Sequence, residues 1–151
     1  MEIERKFTLR SLPEDLNCFP HEELSQAYIC RDPVIRVSKA GSMYELTVKG
    51  EGLLSREELN LPLTEEAYHN LLFKHEGKII EKTRYRIPLD PYVIELDIFH
   101  GENEGKILAE VEFPSEEEAN AFTPPSWFLK DVTFDPHWHN VNMAFDDSPG
   151  L

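Results

Sequence analysis

The chain has few cysteines, few basic residues and no long apolar segment, and each shortage excludes a class of protein. Its two cysteines, Cys18 and Cys30, are too few for a disulfide framework and suit the reducing cytosol. No apolar run approaches the roughly 20 residues that a membrane-spanning helix needs. The first residues, MEIERKF, are charged from the second position, which predicts no secretory signal. We therefore expect a cytoplasmic protein that does not contact a membrane.

Basic residues are outnumbered, because 15 Lys and Arg stand against 29 Asp and Glu and give a formal net charge of −14. Such an acidic chain repels nucleic acids and anionic lipids, so we expect no nucleic-acid partner. A glycine-rich phosphate-binding loop is also missing, so any phosphate must be held by side chains. The length of 151 residues predicts one domain, residues 1–151, with a core of its own.

Short segments of alternating polar and apolar residues predict a mainly β fold of the α+β class. Turn signals such as Ala40-Gly41-Ser42 and Leu89-Asp90-Pro91 separate neighbouring segments. We expect eight strands in an antiparallel barrel or strongly curved sheet, with the helices packed outside. The predicted strands are Glu2–Leu9, Leu24–Arg31, Val34–Lys39, Tyr44–Lys49, Arg56–Leu63, Ile79–Leu89, Tyr92–Phe99 and Ile107–Phe113.

Helices are few, and capping signals locate them. Two serines are followed three residues later by a glutamate, the spacing of a capping box. A threonine precedes an amphipathic segment that a glycine ends. The predicted helices therefore follow Ser11 and Ser115, run from Glu65 to His75 after Thr64, and span Asn140 to Phe145.

The alternation places charged side chains on one face of the strands and apolar side chains on the other. On the first strand, Glu2, Glu4 and Lys6 share a face, while Ile3 and Phe7 lie opposite. A single charged face usually meets solvent, but seven strands of this kind indicate a charged lumen inside a closed sheet. The acidic positions are Glu2, Glu4, Glu58, Glu95, Asp97, Glu110 and Glu112. The basic positions are Lys6, Arg36, Lys49, Lys82, Arg84 and Arg86.

A lumen with both signs of charge indicates a ligand that carries both. Clustered carboxylates bind hard divalent cations such as Mg²⁺ or Mn²⁺, and clustered Lys and Arg side chains suit the oxygens of a polyphosphate. Desolvation of either group without a counter-ion costs free energy. A metal–polyphosphate complex would satisfy both groups. The alternative is a purely structural lattice of salt bridges.

The run Glu2-Ile3-Glu4-Arg5-Lys6-Phe7 resembles the E-x-E-x-K signature of the CYTH superfamily, the triphosphate tunnel metalloenzymes. Its place at the start of the chain and four later segments in the family's order strengthen the resemblance. The similarity covers nearly the whole chain and is strongest to the short bacterial members. The four later segments are Thr47-Val48-Lys49, Glu81-Lys82-Thr83-Arg84, Glu95-Leu96-Asp97 and Glu110-Val111-Glu112-Phe113.

This resemblance implies an eight-stranded, closed antiparallel barrel whose tunnel binds a small-molecule triphosphate with Mg²⁺ or Mn²⁺. It implies as metal ligands Glu2, Glu4, Glu110 and Glu112, helped by Glu58 and Asp97. It implies as ligands of the phosphate oxygens Lys6, Arg36, Lys49, Lys82, Arg84 and Arg86. A lysine of lowered pKa, Lys82 or Lys6, would be the catalytic general base.

Two positions depart from the family pattern. Many members have an R-x-R pair on the third strand, but here Arg36 is followed two residues later by Ser38. Many have an E-x-E pair on the fifth strand, but here Glu58 is followed two residues later by Asn60. One phosphate contact and one ligand of a second metal are therefore in question. Near the end of the chain, four residues resemble the closing segment of many members: Trp138, Asn140, Met143 and Ala144.

Together these observations predict a metal-dependent hydrolase of inorganic triphosphate or a related small triphosphate. The first alternative is an adenylate cyclase of the class IV type, which converts ATP to cyclic AMP and pyrophosphate. The second alternative is a non-catalytic module that binds polyphosphate. The sequence does not separate these activities, and it leaves the oligomeric state open, a homodimer included.

Overall fold

Ten β-strands and three short helices form the fold of residues 1–145, the part of the chain that the structure, a computed structural model, describes. None of these helices is long and apolar enough to cross a bilayer. The strands are β1 (Glu2–Leu9), β2 (His21–Cys30), β3 (Val34–Ala40), β4 (Met43–Lys49), β5 (Ser55–Arg56), β6 (Glu58–Leu63), β7 (Glu76–Leu89), β8 (Tyr92–His100), β9 (Ile107–Glu112) and β10 (Phe128–Asp131). The helices are α1 (Glu65–Leu72), α2 (Glu116–Ala121) and α3 (Asn140–Phe145), with 3₁₀ turns at Leu16–Cys18, Gly101–Asn103 and Pro136–Trp138.

All neighbouring strands pair antiparallel, in the order β10-β1-β9-β8-β7-β2-β3-β4-β6, and β5 pairs separately with β1. Lys49 of β4 donates a hydrogen bond to Glu2 of β1, although five strands lie between β1 and β4 in that order. The sheet therefore curls around a concave interior. Its two-residue β3–β4 hairpin turn uses Gly41 at a φ of 61°, a conformation that glycine adopts without strain.

The prediction of a closed eight-stranded barrel is wrong in two respects. Residues 1–145 form ten strands, because the fifth predicted strand is divided into β5 and β6 and because β10 was not predicted. Over the same residues the sheet is not closed, since β6 pairs with β4 and with no strand on its other side. The free edge of β1 is occupied in turn by β5, by the backbone of Val132 and by β10, which leaves β6 no stretch of β1 to pair with.

The remaining strand and helix predictions are confirmed, apart from the one after Ser11. The seven other strands begin and end within three residues of the predicted positions. Thr64 Oγ1 accepts a hydrogen bond of 3.1 Å from the Ala67 amide, and Ser115 Oγ accepts one of 3.1 Å from the Glu118 amide. Both caps therefore satisfy backbone donors of a first helical turn, as the sequence predicts. Helix α1 ends three residues before His75, and α3 has the predicted range.

The helix predicted after Ser11 does not form. Only the 3₁₀ turn Leu16–Cys18 follows Ser11, and its C-terminal flank, Phe19, is in an extended conformation with a ψ of 151°. Phe19 precedes Pro20, and a residue before proline is pushed from the helical to the extended region. This proline therefore ends the turn before a helix can develop, while Leu16 is still buried in the core.

The outward, convex face of the sheet is apolar and carries helices α1 and α2, as predicted. The Phe7 ring of β1 lies 4.9 Å from the Phe128 ring of β10, centroid to centroid. A smaller cluster of Ala27, Val37 and Tyr68 joins α1 to β2 and β3. The main convex cluster consists of Phe7, Leu16, Ile87, Ile94, Leu96, Ala109, Val111, Phe113, Ala119 and Phe128.

Helix α3 closes one end of the concave interior with an apolar layer, so the prediction that the helices pack outside the sheet is wrong for this helix. A Cβ atom at Gly77 of β7 would lie 2.6 Å from the backbone oxygen of Ala144, so α3 approaches β7 this closely only beside a glycine. Beyond this layer the inward-facing positions of the same strands are polar, and most of them are charged. The layer is formed by Tyr28, Val34, Ile80, Phe99, Leu108, Val132, Met143 and Ala144.

Candidate active site: a charged cavity inside the curved sheet

The charged faces of six strands, β1, β3, β4, β7, β8 and β9, meet at one cavity inside the curved sheet. Its volume is about 70 Å³, because opposing side chains pair with one another across it. Eight of its residues belong to the charged faces read from the sequence: Glu2, Glu4, Lys6, Arg36, Lys49, Arg84, Glu95 and Glu110. Six further lining residues were not predicted as site residues: Gln26, Tyr28, Val34, Arg56, Asn140 and Val141.

Five predicted site residues lie outside this cavity. Lys82 and Asp97 are fully buried beside it, and Glu58 lies on β6 at the edge of the sheet. Glu112 and Arg86 line a neighbouring, more exposed cavity of about 440 Å³, which shares one glutamate with the first. Arg86 also forms an ion pair of 2.8 Å with a glutamate of β2. The roles assigned to these five residues stay predictions.

Lys6 is the centre of a first group of ion pairs. Strand register places Glu4 opposite Glu112 and Lys6 opposite Glu110 across β1 and β9. The Nζ atom of Lys6 contacts Glu4 Oε1 and lies 3.2 Å from Glu110 Oε2. Burial alone would lower the pKa of Lys6, but Glu110 and Glu4 outweigh it and raise that pKa above its ordinary value. Lys6 therefore remains a cation.

The carboxylates around Lys6 repel one another. Burial, and then the charge of Glu110, raise the pKa of Glu4 to about 7, and burial with Glu4 also raises the pKa of Glu112. Burial would raise the pKa of Glu110 as well, but Lys6 and Arg84 hold it well below its usual range. The group therefore retains a proton near neutral pH on Glu4, where a bound cation would instead favour the ionised form.

Lys49 of β4 reaches β1 across the gap that separates β6 from β1. Its ammonium donates to Glu2 Oε1 at 2.9 Å and lies 3.4 Å from Glu58 Oε2. Arg56 Nε of β5 lies 3.6 Å from the same oxygen of Glu2. Burial would raise the pKa of Glu58, but hydrogen bonds with Glu2 and Asn60 and the charge of Lys49 lower it to about 2. Side chains thus bridge the gap that the backbone leaves open.

Asp97 is the centre of a third group of ion pairs, in which Asp97 and Lys82 are fully buried. Its Oδ1 and Oδ2 atoms accept hydrogen bonds from Arg84 Nε and Nη2 at 2.8 and 2.9 Å. The Nζ atom of Lys82 lies 2.9 Å from Oδ2, but the orientation makes no hydrogen bond. Burial would raise the pKa of Asp97, and Arg84 with Lys82 lowers it instead. Both oxygens of Asp97 are therefore engaged by cations, and its predicted help in metal binding stays a prediction.

The two lysines predicted as general bases have different drawbacks. Lys6 lines the cavity, but its raised pKa keeps it protonated. Burial, only partly offset by Asp97, lowers the pKa of Lys82 to about 8, which suits a base. Its ammonium, however, is fully buried and does not line the cavity. Neither lysine combines an accessible position with a lowered pKa.

Two triphosphatases resemble the chain along most of its length. It is 39% identical to the inorganic triphosphatase of Nitrosomonas europaea over 149 residues, which cover 95% of this chain and 96% of that protein. The chain belongs to the CYTH superfamily of triphosphate tunnel proteins. It is 37% identical to the inorganic triphosphatase of Acetivibrio thermocellus over 123 residues, which cover 79% of this chain and 78% of that protein.

A solved structure agrees with this membership. The crystal structure of an inorganic triphosphatase superposes with a TM-score of 0.72 at 34% identity, and the match covers 99% of this chain and 97% of that one. No family model matches the chain. The CYTH resemblance of the first strand and its four companion segments is therefore confirmed by whole-chain similarity.

Sequence reasoning missed several residues that line the cavity of this CYTH chain. Arg56 has the same strand parity as Glu58, so the alternation rule alone would have placed it on the inward face. Gln26 and Asn140 are neutral and carried no charge signal. The Nδ2 atom of Asn140 donates to Gln26 Oε1 at 2.7 Å, so this pair fixes α3 to β2 at the base of the cavity.

The two departures from the CYTH pattern have different outcomes. Ser38 is buried, and its hydroxyl has no hydrogen-bond partner. Arg36 is thus the inward-facing cation of β3, and its Nε atom is also buried without a partner. Asn60, in contrast, accepts a hydrogen bond from Thr47 and donates one to Glu58.

The carboxylates that line the cavity have the donor chemistry for a hard divalent cation. In residues 1–145, no three His, Cys, Asp or Glu side chains are arranged to hold a metal ion. The inward carboxylates point instead at ammonium and guanidinium groups. Burial, and then the charge of neighbouring carboxylates, raise the pKa of Glu4 and Glu112, and ionised oxygen ligands are what Mg²⁺ and Mn²⁺ prefer. The residues fit such a cation once the lysines turn to another anion.

Proposed function

We propose that this chain hydrolyses inorganic triphosphate, or a related small triphosphate, inside the charged cavity. The observation that carries the proposal is one cavity lined by inward cations and inward carboxylates, in which Lys6, Lys49 and Arg84 form ion pairs. Both relatives described above are named inorganic triphosphatases. A triphosphate that carries a divalent cation presents both signs of charge and can replace these ion pairs without leaving a buried charge unpaired.

The phosphate oxygens are bound, in this proposal, by the cations that line the cavity. Their positions on different strands hold a linear anion from several sides, which fixes it for in-line attack at a terminal phosphorus. Arg84 is oriented by Asp97, and Lys82 supports that orientation from behind. Arg86 lies in the neighbouring exposed cavity, where it contacts the substrate as it enters. The cavity-lining set is Lys6, Arg36, Lys49, Arg56 and Arg84.

The metal is held in the same proposal by the carboxylates of β1 and β9, with Glu2 and Glu58 beside them. Mg²⁺ or Mn²⁺ would supply a Lewis acid there, which would neutralise the charge that develops on the phosphate in hydrolysis. Glu4 and Glu110 would give up their contacts with Lys6 when Lys6 turns to the phosphate, which would free their oxygens to hold the cation. The site therefore exchanges internal ion pairs for ion pairs with the substrate.

A product assay tests this function against both alternatives. The protein is incubated with inorganic triphosphate or with ATP, with and without Mg²⁺, and phosphate, pyrophosphate and cyclic AMP are measured. We expect one phosphate and one pyrophosphate from each molecule of inorganic triphosphate, and ADP with one phosphate from any ATP that is hydrolysed, in both cases only with Mg²⁺ present. Cyclic AMP with pyrophosphate from ATP would instead show a cyclase, and binding without any product would show a non-catalytic module.

Two lysines provide a matched pair of variants for the assay. Lys49→Ala removes an inward ammonium of β4, whereas Lys39→Ala removes an exposed lysine of the adjacent β3. We expect Lys49→Ala to raise KM or to lower kcat and Lys39→Ala to leave both unchanged. Equal activity of the two variants would contradict the location of the site.

A further inference from the structure

A chain of hydrogen bonds crosses the concave face at the edge of the sheet. Strand register places Arg36, Thr47 and Asn60 side by side on β3, β4 and β6. The Thr47 hydroxyl donates to Asn60 Oδ1 at 2.7 Å, and Asn60 Nδ2 donates to Glu58 Oε1 at 2.7 Å. Arg36 Nη2 lies 3.5 Å from the Thr47 hydroxyl, at the limit of a hydrogen bond. A phosphate-binding cation and a carboxylate thus lie at opposite ends of one chain.

An amide is the group that completes this chain. Thr47 is fully buried, so its hydroxyl fixes the amide of Asn60 with the oxygen toward β4 and the nitrogen toward Glu58. A carboxylate at position 60 would accept from Thr47, but it could not donate to Glu58 and would repel it. The departure from the family's E-x-E pattern therefore exchanges a negative charge for a donor.

Glu58 needs this donor because of where it lies. Strand β6 is at the end of the sheet order, and Asn60 is exposed. The other contacts that hold Glu58 on the concave side are a hydrogen bond with Glu2 and the ammonium of Lys49, 3.4 Å away. In the proposed reaction Lys49 turns to the phosphate, and the Asn60 amide then remains to keep Glu58 from turning into solvent.

We propose that Asn60 is a positioning residue that, oriented by Thr47, holds the Glu58 carboxylate beside the cavity for the divalent cation. This inference rests on the proposed metal-dependent hydrolysis. Residues that orient metal ligands typically change metal affinity or activity about 10- to 100-fold when they are replaced. We expect the smaller effect, because Glu58 is one carboxylate among several.

The test compares Thr47→Val, Asn60→Leu and the double variant with Thr47→Ser, which retains the hydroxyl. Leu61→Ala is the matched control, since Leu61 is the next residue of β6 and is exposed on the other face. Two quantities are measured: the Mg²⁺ concentration that gives half-maximal hydrolysis, and the affinity for Mn²⁺ by calorimetry in the presence of imidotriphosphate, a non-hydrolysable analogue. The second needs no turnover.

We expect Thr47→Val and Asn60→Leu each to raise the half-saturating Mg²⁺ concentration about 10-fold and to weaken Mn²⁺ binding equally. The double variant should be no worse than the worse single variant, because both remove one link. Thr47→Ser and Leu61→Ala should behave as the wild type. A loss of melting temperature without a change in metal affinity would show a merely structural role and would overturn the inference.

The outcomes separate this inference from the proposed function. Wild-type hydrolysis with unchanged metal affinity in Thr47→Val and Asn60→Leu overturns the role of Asn60 and leaves the hydrolase intact. Weakened Mn²⁺ binding in both variants, without wild-type turnover, supports the positioning role and overturns the hydrolase. Wild-type protein that neither binds Mn²⁺ nor turns over triphosphate overturns both.

Discussion

Adjacent residues on the same strands are equally buried but are stabilised in opposite ways on the two faces of the sheet. Phe7 and Leu96 are 1% and 0% exposed on the convex face, where they touch apolar side chains. Their neighbours Lys6 and Asp97 are 4% and 0% exposed on the concave face, where they form ion pairs. Burial of apolar surface stabilises the fold, whereas a buried ion pair is weak evidence of stability. The difference indicates that the convex face holds the fold together and the concave face serves a ligand.

Truncation on the convex face should separate the two roles most strongly. We expect Phe7→Ala to lower the free energy of unfolding by about 3–5 kcal/mol, because it leaves a cavity among Phe122, Phe128 and their neighbours. Urea unfolding measures the loss. Leu129→Ala, on the exposed side of β10, is the control and should change stability by less than about 0.5 kcal/mol. If Phe7→Ala lowered the free energy of unfolding only slightly, the convex cluster would not be the main source of stability.

Neutralisation of a carboxylate on the concave face should lower activity without destabilising the fold. We expect Glu4→Gln and Glu112→Gln each to lower turnover of triphosphate by about 100-fold or more while the fold stays intact. Each change removes one charge from the carboxylate pair that register places across β1 and β9, without opening a cavity. Steady-state rates at limiting Mg²⁺ and melting curves provide the measurements. Near-normal rates in both variants would exclude the proposed metal ligands.

Much of this division between faces was predictable because it follows from a local rule. Side chains alternate along a strand with a period of two, so the sequence of β1 alone placed Glu4 and Lys6 opposite Phe7. The capping residues Thr64 and Ser115 were equally local signals. These predictions needed no knowledge of which strands are neighbours.

The failures depend on contacts between residues that are distant in sequence. The edge of β1 is shared by β5, Val132 and β10, and no local pattern reveals such competition. The same is true of the candidate site. Alternation placed Lys82 and Asp97 on the charged face. It could not show that the two residues would form an ion pair and be buried together behind the cavity. Strand parity gives the side of a residue and not its partner.

Ligand binding should sharpen the contrast by converting the concave face into a stabilising one. We expect Mg²⁺ and imidotriphosphate together to raise the melting temperature by more than the sum of their separate shifts, because each neutralises the groups that oppose the other. A ligand at a hundredfold excess over its Kd stabilises the folded state by roughly 2.7 kcal/mol. Differential scanning calorimetry measures the shifts, and Glu4→Gln is the control that should lose the excess. Shifts that merely add would contradict a shared site.

The pH dependence of stability should reveal the carboxylate group on the concave face. The pKa of Glu4 is raised from 4.5 to about 7, so the folded state binds this proton more tightly than the unfolded state. The contribution of Glu4 is therefore fully present below pH 4.5 and is lost as the pH rises to 7. We expect Glu4→Gln to gain about 3 kcal/mol over the wild type between pH 4.5 and pH 7 without metal. A constant difference between the two proteins from pH 4.5 to 7 would contradict the raised pKa.

Replacement of the most buried cation should have the smallest effect of all. Asp97 keeps both hydrogen bonds from Arg84 when Lys82 is changed to Met, so no buried charge is left unpaired. Methionine is one atom shorter than lysine, and its thioether end suits the apolar contact with the Phe99 ring, whose centroid lies 5.3 Å from the Lys82 ammonium. Burial already lowers the pKa of Lys82 to about 8, which shows that its charge is poorly compensated. We therefore expect Lys82→Met to change the free energy of unfolding by less than about 1 kcal/mol in either direction. Urea unfolding at pH 7 measures this, and a loss of about 3 kcal/mol would mean that the concave charges form a structural lattice instead of a site.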